Sequence, residues 1–556
     1  RANWERTFRA ALARDYNHPC VFAWILFNET WGLEEHQTPE SWRWVAEMVE
    51  LCRSLDTSRL IEDNSACLYD HVVSDINTWH FYIADYDRAK RHVERIVRQT
   101  YEGSGFNFVG DLYPEVQGAA AYRQGTQPLL NSEYAGLSAR MGDRDISYSF
   151  KFLTTELRRH DKICGYVYTE LTDIEWEHNG LLNYDRSPKA FGYDHFVPGM
   201  TVADLNGADF VGLDCPPCQT LAPGSVFRAQ AFVSHWDARP LRGARLRWQA
   251  LAVDRFGEHQ AVDEGAIAVD PPAYGVSAGG EVVLRLPDEL ALVTVALWLE
   301  DGAGAVRARN YVNVDVHDPA APFASPGANG GAGAQGPVPG RPGIVVTPGR
   351  VERTRGGYAL RFLPGDFADT SWVTPTIGKG GGKLGASGAG WVEYLLPLPE
   401  TLDVDAVGGL RLRFEAGTRT ARNRIGWKDP LYVLSTDFPQ TEALKLPGDL
   451  DVSVNGVPLG RVRLPDDPAD SSGVLSLHLH ETFETGSYGA LFTLEADAAA
   501  ARRMLRREVS PGGHVTVRFE VPRRPGALRS GLSLYGARMG AYPLDPTLFL
   551  DLTPDA

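Results

Sequence analysis

Val21-Phe22-Ala23-Trp24-Ile25-Leu26-Phe27-Asn28-Glu29 decides how the rest of this chain is read. Seven apolar residues without a charge predict a strand buried on both faces, as in a parallel sheet wrapped by helices. The amide and carboxylate that follow then stand at the strand's carboxyl end. In a β/α barrel that end is the mouth where chemistry is done. A second short apolar run, Pro128-Leu129-Leu130-Asn131-Ser132-Glu133, ends the same way 104 residues later.

Helix and strand patterns alternate around these two runs. Trp4 to Arg14 is amphipathic, with Trp4, Phe8, Ala11 and Leu12 on one face. Pro39 to Leu55 predicts a helix with Pro39 at its first position and Trp42, Val45, Met48, Val49 and Cys52 as its inner stripe. Arg59 to Asp63 and Asp75 to Tyr82 read as strands, and Asp87 to Arg98 as a charged helix. Tyr101 to Gln127 is long, Gly-rich and irregular, which suits an active-site loop. Ile146 to Arg159 is a helix and Ile163 to Thr169 a further strand. Strands alternating with helices imply a parallel α/β architecture. An eight-stranded barrel needs three strands more. Residues 1–200 are therefore expected to be the C-terminal part of a (β/α)8 TIM barrel, strands 4–8. The N-terminal barrel strands are expected on the full-length chain.

The texture changes near residue 200. Short alternating runs such as Val226 to Phe232 and Ala244 to Ala250 predict an immunoglobulin-like β-sandwich over residues 201–318. Residues 319–343 are rich in Gly, Pro and Ala and read as a linker. Residues 344–556 are β-rich again. Asp451-Val452-Ser453-Val454 followed by Asn455-Gly456 is a strong hairpin signal. This last part is expected to be a jelly-roll-like sandwich, a candidate for carbohydrate binding.

Composition narrows the function. The chain has 556 residues and a formal net charge of −16, which disfavours nucleic acid and anionic membrane as partners. No apolar run approaches the roughly 20 residues of a membrane span. Thirteen Trp and 21 Tyr suit sugar rings as well as cores. Six scattered Cys make no disulfide framework. Cys215-Pro-Pro-Cys218 has redox spacing but no βαβ pattern beside it, so a local disulfide or two free thiols is the reading kept. No targeting segment is legible, and localisation is left open, as is self-association.

Two strand-terminal glutamates on one barrel rim suggest the acid and nucleophile of glycoside hydrolysis. The residues around them resemble a known family. His18-Pro19-Cys20-Val21 through Trp24, Asn28-Glu29 and Trp31-Gly32 resemble the acid/base strand of glycoside hydrolase family 2, which includes β-galactosidases, β-glucuronidases and β-mannosidases. Asn131-Ser132-Glu133-Tyr134-Ala135-Gly136 is similar to its nucleophile strand, and Asp75 to Tyr82 to the strand carrying a tyrosine near the nucleophile. Trp176, Gly180, Asp185-Arg186 and Pro188-Lys189 resemble the exit from the last barrel strand.

The resemblance implies a retaining mechanism, with Glu29 as acid/base, Glu133 as nucleophile and Tyr82 orienting Glu133. It implies that Asn28 binds the hydroxyl beside the anomeric carbon. Trp31, Trp79, His80, Tyr168, Glu170 and Trp176 are expected to line the sugar site. Glu29 would have to be protonated at working pH, which calls for a raised pKa. No residue set has metal-ligand spacing. No cofactor is required, and a structural or activating cation is left open. The partner expected is an oligosaccharide or glycoside.

Two departures bear on the sugar. Tyr168 stands where the family usually has tryptophan. Asn179-Gly180-Leu181 lacks the lysine of the Asn-x-Lys with which family glucuronidases grip a uronate. A neutral β-hexoside, galactoside first, is the sugar expected, with β-glucuronide and β-mannoside as alternatives. A non-catalytic carbohydrate-binding or scaffold protein built on a degenerate barrel is the competing class.

Overall fold

The computed structural model describes residues 1–30, 33, 38–65, 71–104, 123–136, 146–174, 177, 179–189, 191–318, 350–373, 375–377, 381–418, 448–464, 489–506, 513–523, 531–537 and 539–553. Trp31, Trp176, the 319–343 linker and most of the Tyr101–Gln127 loop lie outside these residues.

Five parallel strands form the N-terminal part: β1 (Ala23–Asn28), β2 (Leu60–Ser65), β3 (Asn77–Tyr82), β4 (Leu129–Ala135) and β5 (Ile163–Tyr168). β1 pairs with β2, and β3, β4 and β5 pair in that order, all parallel. β2 meets β3 chiefly through side chains: Thr78 Oγ1 donates to Glu62 Oε1 at 2.6 Å, and Ser65 Oγ lies 2.6 Å from His80 Nε2. The helices are α1 (Ala2–Asp15), α2 (Pro39–Leu55), α3 (Tyr86–Gln99) and α4 (Ser147–Arg158). Local chemistry sets their starts. Thr38 caps α2 by accepting from Ser41 N, with Pro39 at the first turn, and Asp85 caps α3 by accepting from Arg88 N at 2.7 Å.

One expectation fails here. The Val21–Phe27 run is not buried on both faces. The strand begins at Ala23, and Phe22 and Ile25 are 69% and 55% exposed. β1 pairs only with β2 among the described residues, so this edge of the sheet leaves apolar side chains uncovered. The side that does pack is aromatic: Trp4 stacks on Phe27 at 4.7 Å, and Trp44 meets Phe27 edge-on at 5.1 Å.

The middle part is an immunoglobulin-like sandwich. Its strands are β6 (Asp209–Leu213), β7 (Cys218–Leu221), β8 (Val226–His235), β9 (Ala244–Asp254), β10 (His259–Val269), β11 (Gly275–Arg285), β12 (Ala291–Glu300) and β13 (Val306–Val316). One sheet runs β10-β9-β12-β13-β7 and the other β11-β8-β6. Cys215 and Cys218 form no disulfide, and burial pushes the Cys215 thiol up to about 12, so Cys215 is not a ready nucleophile.

This sandwich covers one side of α4, and α3, β4 and β5 cover the rest, so that the helix residues are all buried. Polar side chains tie α4 across the junction. Lys151 Nζ donates to Tyr311 O at 2.7 Å, Tyr148 Oη donates to Asn313 Oδ1 at 2.9 Å, and Arg158 donates to Gly207 O and Ala208 O. Each of these donors would be costly to bury without its acceptor.

The C-terminal part is a second two-sheet sandwich around one apolar cluster. Asn455 and Gly456 both have positive φ, 47° and 73°, as the predicted two-residue hairpin turn requires. The alternating pattern did not reveal the helix α5 (Ala498–Arg506), which packs Met504 and Leu505 into the same cluster. No described helix is long and apolar enough to cross a membrane.

A buried carboxylate holds the turn that joins this sandwich to the barrel. Glu415 Oε1 accepts from Ala541 N at 2.7 Å and Oε2 from Tyr542 N at 3.0 Å. Tyr542 stacks on Phe196 at 6.2 Å, and Leu544 joins the barrel-side core. Burial pushes Glu415 up to about 7 despite the two donors. The folded chain therefore keeps a proton that an unfolded glutamate, with its ordinary value of 4.5, releases. Between those values stability falls as pH rises. Thermal melts of wild type and Glu415→Gln from about pH 5 to about pH 8 should show the wild type losing ground steadily; parallel curves would remove this role for Glu415.

Candidate active site

Each of the two glutamates is aimed by a local irregularity. Glu29 and Thr30 follow β1 with φ of 49° and 59°, a left-handed pair without glycine. Two bonds to the end of β2 hold it: Glu29 N donates to Ser65 O at 2.9 Å, and Thr30 N donates to Asn64 Oδ1 at 3.1 Å. Strained residues held by their surroundings are common where a side chain must point one way. Glu133 is set by a bulge. The register of β3 and β4 steps from Trp79↔Asn131 to His80↔Glu133, skipping Ser132. The extra residue brings Glu133 level with His80.

The result is a compact cluster. His80 Nδ1 lies 2.8 Å from Glu29 Oε1 and 3.3 Å from Glu133 Oε2. A carboxylate oxygen of Glu29 and one of Glu133 lie within 4.8 Å of each other. Tyr82 Oη donates to Glu133 Oε2 at 2.6 Å, and the Asn28 side chain also bonds Glu133. On the other side of the imidazole, Ser65 Oγ touches His80 Nε2 at 2.6 Å and donates to Ser132 Oγ at 3.0 Å. His80 is buried, while the two glutamates keep about a fifth of their side-chain surface open.

Burial raises the pKa of Glu133, and Glu29 adds to it; His80, Tyr82 and Asn28 pull the other way. Burial and the adjacent Glu133 charge hold the Tyr82 phenol well above its ordinary value, so it stays a donor. Glu170 feels burial, then Glu177 and Asp173, and more weakly Glu133; Lys189 opposes them, and the carboxyl stands at about 8. Glu170 is therefore protonated at neutral pH.

Of the residues expected to line the sugar site, the fold brings Asn28, Glu29, His80, Tyr82 and Glu133 together and sets Glu170 beside them. Trp79 does not belong there. It is fully buried, with Phe81, in the core on the other side of β3 from His80 and Tyr82. Alternation along a strand puts neighbours on opposite faces. Tyr168 is misplaced for a similar reason. Its ring meets Tyr134 at 5.3 Å and Phe150 of α4 at 4.7 Å, so it packs on the helix side of β5.

Sequence reasoning overlooked the layer behind the site. Asp63 is buried, with His71 Nδ1 at 2.7 Å and Val72 N and Val73 N donating to it. Burial pushes Asp63 up, yet His71 and these amides hold it below its ordinary value. Glu62, Asn64 and Ser65 belong to the same layer. The signal was present in Leu60-Ile61-Glu62-Asp63-Asn64-Ser65, a strand whose second half is wholly polar. Such a run is buried only where partners await it.

Glu29, His80 and Glu133 are also the trio whose ligand atoms would suit a cation among the described residues. His80 Nδ1 already stands between the two carboxylates.

Residues 2–145 match the family model described as Glycosyl hydrolases family 2, TIM barrel domain. That segment belongs to glycosyl hydrolase family 2. It holds both glutamates, His80 and Tyr82. A search of curated proteins finds no match. Solved structures similar to the chain include a Bacteroides uniformis β-glucuronidase, 10% identical, with a TM-score of 0.30, over 99% of this chain and 56% of that one. A Parabacteroides merdae β-glucuronidase with glycerol in its active site is 10% identical, with a TM-score of 0.31, over 84% and 51%. A Bifidobacterium dentium β-glucuronidase complexed with coumarin-3-O-glucuronide is 17% identical, with a TM-score of 0.25, over 34% and 32%. The chain thus spans 56% of the length of the first of these structures.

Tyr82→Phe removes one of the bonds that favour ionised Glu133. Its pKa should rise further, seen as an upward move of the Glu133 resonance in a carboxyl NMR titration. An unmoved titration would show that Tyr82 does not tune this carboxylate.

Proposed function

We propose that this chain works as a retaining, exo-acting β-glycosidase. The observation that carries the reading is the approach of Glu29, after β1, and Glu133, on β4, to within 4.8 Å across His80. Retaining enzymes hold their carboxyls about 5–5.5 Å apart, whereas inverting enzymes leave room for a water between them. In this reading Glu133 attacks the anomeric carbon while the bond to the leaving oxygen breaks. Glu29 gives its proton to that oxygen. Water then attacks the glycosyl ester and yields a proton to Glu29, and the Glu133 carboxylate departs. Asn28 binds the hydroxyl next to the anomeric carbon. Tyr82 and His80 hold the nucleophile in place and favour its ionised form. No cofactor is needed for these steps.

The rim offers two readings of the sugar. The protonated Glu170 can hydrogen-bond a sugar hydroxyl, and the Asp173 and Glu177 carboxylates beside it disfavour a uronate, which suits a neutral β-hexoside, a galactoside first. The second reading is a β-glucuronide. Lys189 Nζ lies 2.7 Å from Asp173 Oδ1 and acts on Glu170, which supports this reading by supplying an ammonium that the Asn179-Gly180-Leu181 motif lacks. A uronate carboxylate could use that charge.

Incubation with 2-fluoro aryl β-galactoside, β-glucuronide and β-mannoside, followed by peptide mass mapping, tests the reading. One sugar adduct on Glu133 is expected. Folded protein that takes up no adduct would favour a carbohydrate-binding or scaffold role instead. Glu29→Ala should lower turnover of substrates with poor leaving groups by about 10²–10⁴-fold, with partial recovery by azide. Lys189→Met should slow labelling by the glucuronide at least about tenfold if that is the substrate, and leave galactoside labelling unchanged.

A further inference from the structure

The two ring nitrogens of His80 have different surroundings. Nδ1 faces Glu29 Oε1 at 2.8 Å and Glu133 Oε2 at 3.3 Å. Nε2 points away from both carboxyls, to Ser65 Oγ at 2.6 Å. A neutral imidazole carries its proton on one nitrogen and accepts on the other, and the partner of the far nitrogen decides which.

Ser65 settles that choice. A serine hydroxyl has one proton to give and two lone pairs to offer. Ser65 Oγ gives its proton to Ser132 Oγ at 3.0 Å. The Ser65 side chain also bonds Glu62, whose carboxyl competes for the same proton. Neither arrangement leaves a proton for the imidazole. Ser65 Oγ therefore accepts, and His80 Nε2–H donates. Ser65, Ser132, Glu62 and His80 are all buried, so bulk water does not stand in for a missing partner. The backbone fixes both serines. Ser65 ends β2, paired with Asn28, and Ser132 is the residue that the register of β3 and β4 skips. The bulge that brings Glu133 level with His80 is thus also the place where Ser65 finds its acceptor.

With Nε2 protonated, the contact between His80 Nδ1 and Glu29 Oε1 needs a proton of its own. Without one, a ring lone pair and a carboxylate oxygen face each other at 2.8 Å. Either Glu29 carries that proton as an acid or Nδ1 carries it as an imidazolium. In both forms it lies between the same two atoms.

We propose that Ser65 is a positioning residue for proton transfer: by holding His80 in the Nε2–H form, it makes the Nδ1–Oε1 hydrogen bond the seat of the proton that Glu29 delivers. This deepens the glycosidase reading and rests on it. In the first step the O–H bond of Glu29 breaks, and the leaving oxygen takes the proton as it takes the electron pair of its bond to the anomeric carbon. A proton held on Nδ1 passes to Oε1 first and leaves the ring neutral. The Nδ1 lone pair then faces ionised Glu29, which makes Glu29 a stronger base. The attacking water yields a proton to Glu29 in the second step and refills the bond.

Two measurements on the full chain test this role. The first is nitrogen-15 NMR of protein with labelled histidine, the His80 signals assigned by their loss in His80→Gln. His80 should show a protonated Nε2; a bare Nε2 overturns the proposal. This readout needs no turnover, whereas failure of the glycosidase reading shows separately as the lack of a sugar adduct on Glu133. The second compares kcat/KM for two β-glycosides of the sugar that labels Glu133. The alkyl glycoside has a leaving group that needs a proton, and the dinitrophenyl glycoside has one that does not. Ser65→Ala should cut the ratio of the first to the second at least about tenfold. Equal losses on both substrates would mark Ser65 as structural only and overturn the proposal. So would the same selective loss in Ser65→Thr, which keeps the hydroxyl.

Discussion

The imidazole of His80 is the contact on which the site depends. Two carboxyls less than 5 Å apart repel each other when both are ionised, and a donor that faces both relieves that repulsion. His80 Nδ1 faces both, and Ser65 fixes the ring from behind. That arrangement needs β1, β2, β3 and β4 side by side. It also needs the strained turn at Glu29 and the bulge at Ser132. Each has its own support in the polar layer of β2, where Glu62, Asp63, Asn64 and Ser65 are all bonded.

The two sandwiches are part of the same structure rather than appendages. α4 lies between β4 and β5 in sequence, yet it is covered by β13 and the segment that leads into β6. Its lysine and arginine find carbonyl acceptors there and nowhere in their own helix. The C-terminal sandwich reaches back through the turn at Ala541 and Tyr542, which the buried Glu415 holds in shape. The strand that carries Glu133 is thus backed by a core that includes residues from both sandwiches, whereas β1 packs against its own neighbours in sequence.

Much of the fold was legible. The helix at Pro39–Leu55 has its predicted bounds, because its capping residue, its proline and its apolar period all agree. The Asn455-Gly456 turn was readable because few residue pairs accept two positive φ values. The errors lie where neighbours decide. Ile25 was expected inside and is exposed at a sheet edge. Trp79 and Tyr168 were expected beside the sugar and face the helices. Lys189 was not seen as a rim charge, since its distance in sequence from Asp173 hides their contact at 2.7 Å.

The sequence by itself determined the kind of the elements from α1 to β5 and the presence of a glutamate at the end of two strands. Both follow from local periodicity, from caps and turns, and from the family motifs around Asn28-Glu29 and Ser132-Glu133. Only the tertiary structure decided that those glutamates meet across His80, and that Tyr82 and not Trp79 faces them. A strand or helix has a period but no knowledge of its surroundings. Which face is inside, and what stands opposite, is set by a one-residue bulge and by packing partners from distant parts of the chain.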